Sequence, residues 1–177
     1  MLRRVLLALS LAAVTFAALP PGRPLPDVPV SMPGGKSLDL KQYRGKALIV
    51  AMISTTCEDC AHATDFLKII QTEYAPQGLQ VIAIAGDPEG AEALKSFEAA
   101  HKPNYPLGFL ARVPFLKLAG MAPDERPFAP ILMFVDPKGV ARIQFLGNDP
   151  LMNKMETLIR STVRELMKEP GITKGGK

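Results

Sequence analysis

The only two cysteines of this 177-residue chain are Cys57 and Cys60, within the segment Ser54-Thr-Thr-Cys-Glu-Asp-Cys60. Two thiols separated by two residues can form a disulfide with each other, although zinc sites also use this spacing. A structural zinc ion needs four ligands, and the chain offers only His62 and His101 besides the two thiols. The spacing therefore favours a redox-active Cys57–Cys60 disulfide, with no metal and no other cofactor.

The segments on either side of the cysteines predict how they are held. Residues 47–53 form a continuous apolar run, typical of a strand buried on both faces, and residues 61–74 have the pattern of an amphipathic helix. Thr55 or Thr56 is expected to cap this helix. A thiol at a helix N-terminus meets free N–H groups and the positive end of the helix dipole, which favour the thiolate. Cys57 is thus predicted to be the nucleophile and Cys60 the resolving thiol.

Three charged or titratable neighbours are expected to modulate this pair. Glu58 and Asp59 stand between the cysteines, and two carboxylates next to Cys57 disfavour its thiolate. The sequence therefore predicts a reductant or weak oxidant rather than a strong oxidant. His62, two residues after Cys60, is either a proton shuttle or an ordinary surface residue of the helix.

The remainder of the chain alternates strand and helix patterns, which predicts an α/β fold. A second buried strand over 79–86 follows the cysteine helix after a short turn, as in a right-handed parallel crossover. A third buried strand begins at Pro130 and continues through a tight turn into an antiparallel partner. The other predicted elements are a hairpin around Gly34-Gly35, a helix ending near His101, a short helix over 113–119 and a last helix from Pro150 to about Lys168 capped by Asp149.

The two ends of the chain carry expectations about location. Residues 1–18 read as a signal peptide, or as an anchor if they are not cleaved, because two arginines precede a short apolar run. Residues 19–24 are expected to be a proline-rich linker, 25–168 the folded domain, and 169–177 a disordered basic tail. These features predict a periplasmic or secreted protein, or a membrane-anchored one if uncleaved. The formal charge of +4 is scattered, so no nucleic-acid partner is expected.

The order of elements resembles the thioredoxin fold, and its details are similar to the periplasmic TlpA/ResA-type thiol-disulfide oxidoreductases and their redoxin relatives. The similarity covers roughly residues 25–167. It rests on the hairpin before Tyr43-Arg-Gly-Lys-Ala-Leu-Ile-Val50, on the Cys-x-x-Cys helix, and on Ala129-Pro130 followed by Phe134-Val-Asp136-Pro-Lys-Gly139. It implies a central mixed sheet flanked by helices, with an N-terminal β-hairpin extension and a helical insertion.

The resemblance also implies a substrate site and partners. Ala129–Pro130 would be a cis peptide beside the disulfide, leaving the Ala129 backbone free to pair with an incoming peptide. The implied partners are protein thiols and disulfides and an upstream membrane or periplasmic electron donor, with the chain itself a monomer. The acids that such proteins carry near the cysteines are replaced here by Ala51 and Ala63.

Three alternatives remain open from the sequence. Ser54-x-x-Cys57 is similar to a peroxiredoxin-like peroxidase motif, although Val50 and Pro130 stand where such enzymes carry proline and arginine. A copper-binding chaperone of the same fold is a second alternative, because two thiolates suit Cu(I). A purely structural disulfide is disfavoured, because so short a loop removes little entropy from the unfolded chain.

Overall fold

Strand β4, Ala47–Ile53, is the predicted strand before the cysteines, and all seven of its side chains are buried. The computed structural model describes residues 22–87 and 91–174. Successive side chains of a strand point to opposite faces, so Ile49 belongs to one apolar core and Leu48 to the other. Burial on both faces means that β4 lies inside a sheet covered by other elements on each side.

The described residues form one mixed sheet of eight strands. These strands are β1 (Arg23–Pro24), β2 (Val30–Ser31), β3 (Ser37–Leu38), β4, β5 (Leu79–Ala85), β6 (Leu107–Phe109), β7 (Ile131–Val135) and β8 (Val140–Phe145). Their spatial order is β1-β8-β7-β4-β5-β6-β2-β3. Strand β5 runs parallel to β4 and β6, whereas β7 is antiparallel to β4. The parallel pairing brings the carboxyl ends of β4 and β5 to the same edge of the sheet.

Four α-helices cover the two faces. They are α1 (Glu58–Tyr74), α2 (Ala91–His101), α3 (Arg112–Ala119) and α4 (Met155–Leu166). Helices α1, α2 and α4 contribute side chains to one core, and α3 contributes to the other. A 3₁₀ turn, Pro150–Lys154, leads into α4 and is capped by Asp149, as predicted. The predicted α/β class is confirmed, with the hairpin β2–β3 as an N-terminal extension.

The ends of the domain differ in part from the sequence expectations. Arg23–Pro24, assigned to the linker, pair with β8 at the sheet edge. In the segment predicted to be disordered, the N–H and hydroxyl of Thr173 donate to the carbonyl oxygen of Gly45 at 2.6 and 2.8 Å. Residues 1–18 lie outside the described residues, as do 175–177. Within residues 22–87 and 91–174, no helix is long and apolar enough to cross a membrane.

Candidate active site

Cys57 is itself the N-cap of α1. Its backbone is extended, with φ −95° and ψ 122°, and its Sγ accepts the backbone N–H of Cys60 at 3.2 Å. The expectation that Thr55 or Thr56 caps the helix is therefore wrong, because the sulfur occupies the position of the capping oxygen. An acceptor at this position meets the first free N–H groups and the positive end of the helix dipole. The Cys57 sulfur thus lies at the N-terminal end of α1, in contact with one of its first N–H groups.

Cys60 lies one turn further along α1 and is fully buried, whereas Cys57 is half-buried. Both cysteines are free thiols in this structure. The backbone N–H of Ser54 points at the Cys60 Sγ, 3.5 Å away. Burial above all, then the hydrogen bond with Cys57 and the nearby negative charges, raises the pKa of the Cys60 thiol, and the Ser54 N–H opposes this. One sulfur is therefore accessible, and the other is enclosed behind it.

Ala129 and Pro130 lie beside the cysteines, as predicted. The peptide bond between them is cis. The Cys57 thiol points at the carbonyl oxygen of Ala129, with the two atoms 3.8 Å apart. The N–H of Gly147 donates to the carbonyl of Phe128 at 2.8 Å and ties the loop to the end of β8. The structure therefore brings the first cysteine and the predicted substrate-binding backbone into contact.

A groove of about 560 Å³ opens next to the cysteines between the start of α1 and the start of α4. Asp59, His62 and Pro130 line one side of it, and Met155 and Glu156 belong to the other. His62 is more than half exposed, and its Nε2 lies 3.3 Å from a carboxylate oxygen of Glu156. Asp59 is exposed, as is Glu58 in the same helical turn. The three predicted modulating residues are thus placed around the site, with His62 engaged by an acid of α4.

Asp87, which the sequence reasoning missed, is the buried acid of this site. It directly follows Gly86 at the end of β5 and is only 6% exposed. Its two carboxylate oxygens accept the Ser54 hydroxyl at 2.6 Å and the Thr55 N–H at 2.8 Å. A signal for it existed, because Ser54 and Asp87 each follow a buried strand and parallel neighbours end at the same edge.

In the described part of the chain, no group of three His, Cys, Asp or Glu side chains is placed to hold an ion. His101 lies away from the cysteines, where its Nδ1 is 3.2 Å from a carboxylate oxygen of Asp65.

Solved structures share this fold. A thiol:disulfide interchange protein of the thioredoxin family from Chlorobium tepidum TLS superposes with a TM-score of 0.67 at 18% identity, covering 82% of this chain and 97% of that one. The thioredoxin domain of a thiol-disulfide oxidoreductase from Bacteroides vulgatus superposes with a TM-score of 0.63 at 21% identity, covering 80% of this chain and 99% of that one. At such identities the likeness shows the fold alone, and that fold is thioredoxin-like.

The chain belongs to the AhpC/TSA family, whose model matches residues 21–143. Among curated proteins it is similar to the thiol-disulfide oxidoreductase ResA of Bacillus thuringiensis subsp. konkukian, with 24% identity over 107 residues, 60% of this chain and 61% of that protein. It is also similar to ResA of Bacillus anthracis, with 23% identity over 126 residues, which cover 71% of this chain and 69% of that protein. The first of these matches spans about three fifths of the relative's length.

Proposed function

We propose that this chain is an extracytoplasmic thiol-disulfide oxidoreductase that exchanges the Cys57–Cys60 dithiol with disulfides of protein substrates, as a reductant rather than a strong oxidant. The observation that carries the proposal is the unequal placement of the two sulfurs. Cys57 is accessible and caps a helix, and Cys60 is buried one turn behind it. The name of the ResA relatives supports the same reaction.

The reaction runs in two exchanges. The Cys57 thiolate attacks one sulfur of a substrate disulfide, forms a mixed disulfide and releases the first substrate thiolate. Cys60 then loses its proton and attacks the Cys57 sulfur, which releases the second substrate thiolate and closes the Cys57–Cys60 disulfide. Two electrons pass to the substrate, and the two thiol protons end on its two sulfurs. A thiol donor must reduce the disulfide before the next cycle, so an upstream electron donor is part of the proposal.

Substrate binding is assigned to the Ala129 backbone and the neighbouring groove. A peptide that presents a disulfide to Cys57 meets the carbonyl of Ala129, because that oxygen lies 3.8 Å from the attacking sulfur. The groove beyond it has room for the flanking residues of the peptide. Backbone recognition of this kind reads peptide shape more than side chains, which suits a reductant of several substrates.

The direction of electron flow rests on the charges around Cys57. Glu58 and Asp59 are exposed carboxylates in the first turn of α1, and negative charge near a thiolate destabilises it. A dithiol whose thiolate is less stabilised has a less oxidising disulfide, because a strong oxidant owes its potential to a stabilised reduced form. His62, paired with Glu156, is proposed to adjust the stability of the Cys57 thiolate.

The reduction potential of the Cys57–Cys60 pair tests the proposal first. Equilibration with glutathione or dithiothreitol buffers is expected to give a value near or below that of thioredoxin, about −270 mV. A value near that of DsbA, about −120 mV, would show that the chain is an oxidant and that the reading of Glu58 and Asp59 is wrong. Peroxide consumption by the reduced protein, at a rate above its reduction of insulin, would favour the peroxidase alternative.

Two single-cysteine variants test the assigned roles. Cys57→Ser is expected to abolish insulin reduction, and Cys60→Ser is expected to accumulate a mixed disulfide that mass spectrometry detects. Trapping by Cys57→Ser instead would reverse the assignment. For location, fractionation of cells that express the full chain, with sequencing of the mature N-terminus, is expected to find the protein outside the cytoplasm; a cytoplasmic product that keeps residues 1–18 would contradict it.

A further inference from the structure

We infer that Asp87 is the proton acceptor for Cys60: its carboxylate takes the Cys60 proton when this thiol attacks the mixed disulfide. The inference rests on the proposed exchange reaction and adds an acid–base residue to it. Asp87 reaches the site from the end of β5, and Ala51 on β4 and Ala63 on α1 leave those two neighbouring positions without an acid.

The geometry places the carboxylate against the segment that surrounds the Cys60 sulfur. The Ser54 N–H is 3.5 Å from the Cys60 Sγ, and the hydroxyl of the same serine donates to Asp87 at 2.6 Å. The second carboxylate oxygen accepts the Thr55 N–H at 2.8 Å. Both oxygens are therefore fixed by the loop between β4 and Cys57. A buried carboxylate fixed in this way is held against the loop that also contacts the resolving thiol, near enough for its charge to act on that thiol.

The surroundings of Cys60 make deprotonation of its thiol unfavourable, and this is the step that a base would assist. Burial is the largest cause that raises the pKa of the Cys60 thiol, and the charges of Cys57 and Asp87 act in the same direction. Three described acids near the cysteines and the groove lie at the surface: Glu58 and Asp59 are exposed on α1, and Glu156 pairs with His62. Cys60 therefore attacks from an enclosed site in which a free thiolate is costly, so a nearby base lowers the cost of the step.

The Cys60 proton passes to Asp87 while the sulfur electron pair forms the bond to the Cys57 Sγ. The bond between Cys57 and the substrate sulfur breaks, and the departing thiolate takes that electron pair. Asp87 then releases its proton to the departing thiolate or to solvent. No further oxidant or reductant is needed, because the two electrons come from the dithiol itself.

The experiment measures this resolving step alone. Reduced full-length protein is mixed with a small excess of the aromatic disulfide DTNB, and the nitrothiobenzoate released from Cys57 by Cys60 is followed by stopped-flow absorbance across a pH series. Asp87→Asn is expected to slow the release by about tenfold or more near neutrality, since positioned bases contribute factors of this order or larger. The difference must narrow as pH rises, because hydroxide then takes the Cys60 proton without help.

Controls separate this inference from a merely structural role. Asp136→Asn removes a second carboxylate that is 5% exposed, at the opposite end of the sheet, where it accepts the N–H groups of Lys138 and Val140; it is expected to leave the release rate unchanged. If Asp87→Asn does not fold, as judged by circular dichroism, Asp87→Ser replaces it, since serine removes the carboxylate with a small polar side chain.

The outcomes are distinct. An Asp87 variant that releases nitrothiobenzoate as fast as the wild type, or faster because a negative charge has been removed, would overturn the inference. If release is slowed by the same factor at every pH, the inference is also overturned, and Asp87 only holds the loop through its hydrogen bonds to Ser54 and Thr55. A wild-type protein that captures no nitrothiobenzoate at Cys57 would instead defeat the proposed exchange reaction.

Discussion

Gly147→Ala tests whether the position of the Ala129 carbonyl controls exchange with substrate. A Cβ built on Gly147 would lie 2.7 Å from the carbonyl carbon of Ala129 and closer still to its oxygen. Both are backbone atoms, so no side chain can rotate away. To reach an ordinary contact of 3.4 Å, the carbonyl carbon of Ala129 must recede by roughly 0.7 Å, and its oxygen must recede further.

The expected magnitudes follow from that displacement. Overpacking of this kind costs about 1–3 kcal/mol of unfolding free energy. The displaced carbonyl is the group that faces the Cys57 sulfur at 3.8 Å, and a misplacement of about 1 Å at a reacting site can cost about a hundredfold in rate. We therefore expect kcat/KM for insulin reduction to fall by roughly tenfold to a hundredfold.

The assay pairs urea unfolding with insulin reduction under dithiothreitol, both at a temperature where the variant is folded. Gly22→Ala is the matched control, because its Cβ would meet the Ala141 carbonyl oxygen at 2.5 Å, another backbone clash at the far end of the sheet. It should lose stability and keep kcat/KM. If Gly147→Ala loses stability while exchanging at the wild-type rate, the Ala129 backbone does not bind substrate and the reasoning fails.

Two further predictions concern side chains of α1 that stabilise the fold. Gln71→Leu leaves the buried N–H of Val81 without its acceptor, which lies 2.6 Å away, so urea unfolding should show a loss of about 1–3 kcal/mol; a loss below the error of the measurement would contradict it. For Asp65, burial raises the pKa, but hydrogen bonds with Lys68 and His101 outweigh this and lower it. A lowered carboxyl pKa stabilises the fold above the unfolded value of about 3.9, and this stability is lost as pH falls through the folded pKa. Asp65→Asn should therefore lower the free energy of unfolding by less than about 1 kcal/mol near neutrality, since the side chain is about half exposed. In acid, below the folded pKa, the substitution should leave the free energy of unfolding unchanged. An equal loss at both pH values in urea unfolding would refute this.

The local part of the site could be predicted from the sequence because its signals are local. An apolar run before Cys57 and an amphipathic pattern after Cys60 fix a strand and a helix, and the structure has both. The choice of N-cap failed for a physical reason. Statistical preference favours a hydroxyl, but the turn from Ser54 to Cys57 places the sulfur within reach of the Cys60 N–H.

Asp87 and the edge strand β1 could not be read from local patterns. Asp87 is 27 positions beyond Cys60 in the chain, and only the parallel pairing of β4 with β5, in which Ile53 lies opposite Ala85, brings it to the cysteines. Arg23–Pro24 is too short to show a strand periodicity, and its pairing with β8 depends on which edge of the sheet is free. The role of Asp87 and the pairing of β1 can be recognised only once the strand order of the sheet is known.

The burial of Cys60 behind Cys57 separates substrate selection from electron-transfer direction. In the proposed exchange, a substrate disulfide first reacts with Cys57, beside the Ala129 carbonyl and the groove, because Cys60 is fully buried. The second attack is intramolecular and takes place at a very high effective concentration, so it depends little on what the substrate is. Selection among substrates is therefore expressed in the rate of the first attack. The direction of electron flow is an equilibrium property of the two sulfurs. We propose that it depends instead on the charges near them, Glu58 and Asp59 next to Cys57 and Asp87 near Cys60.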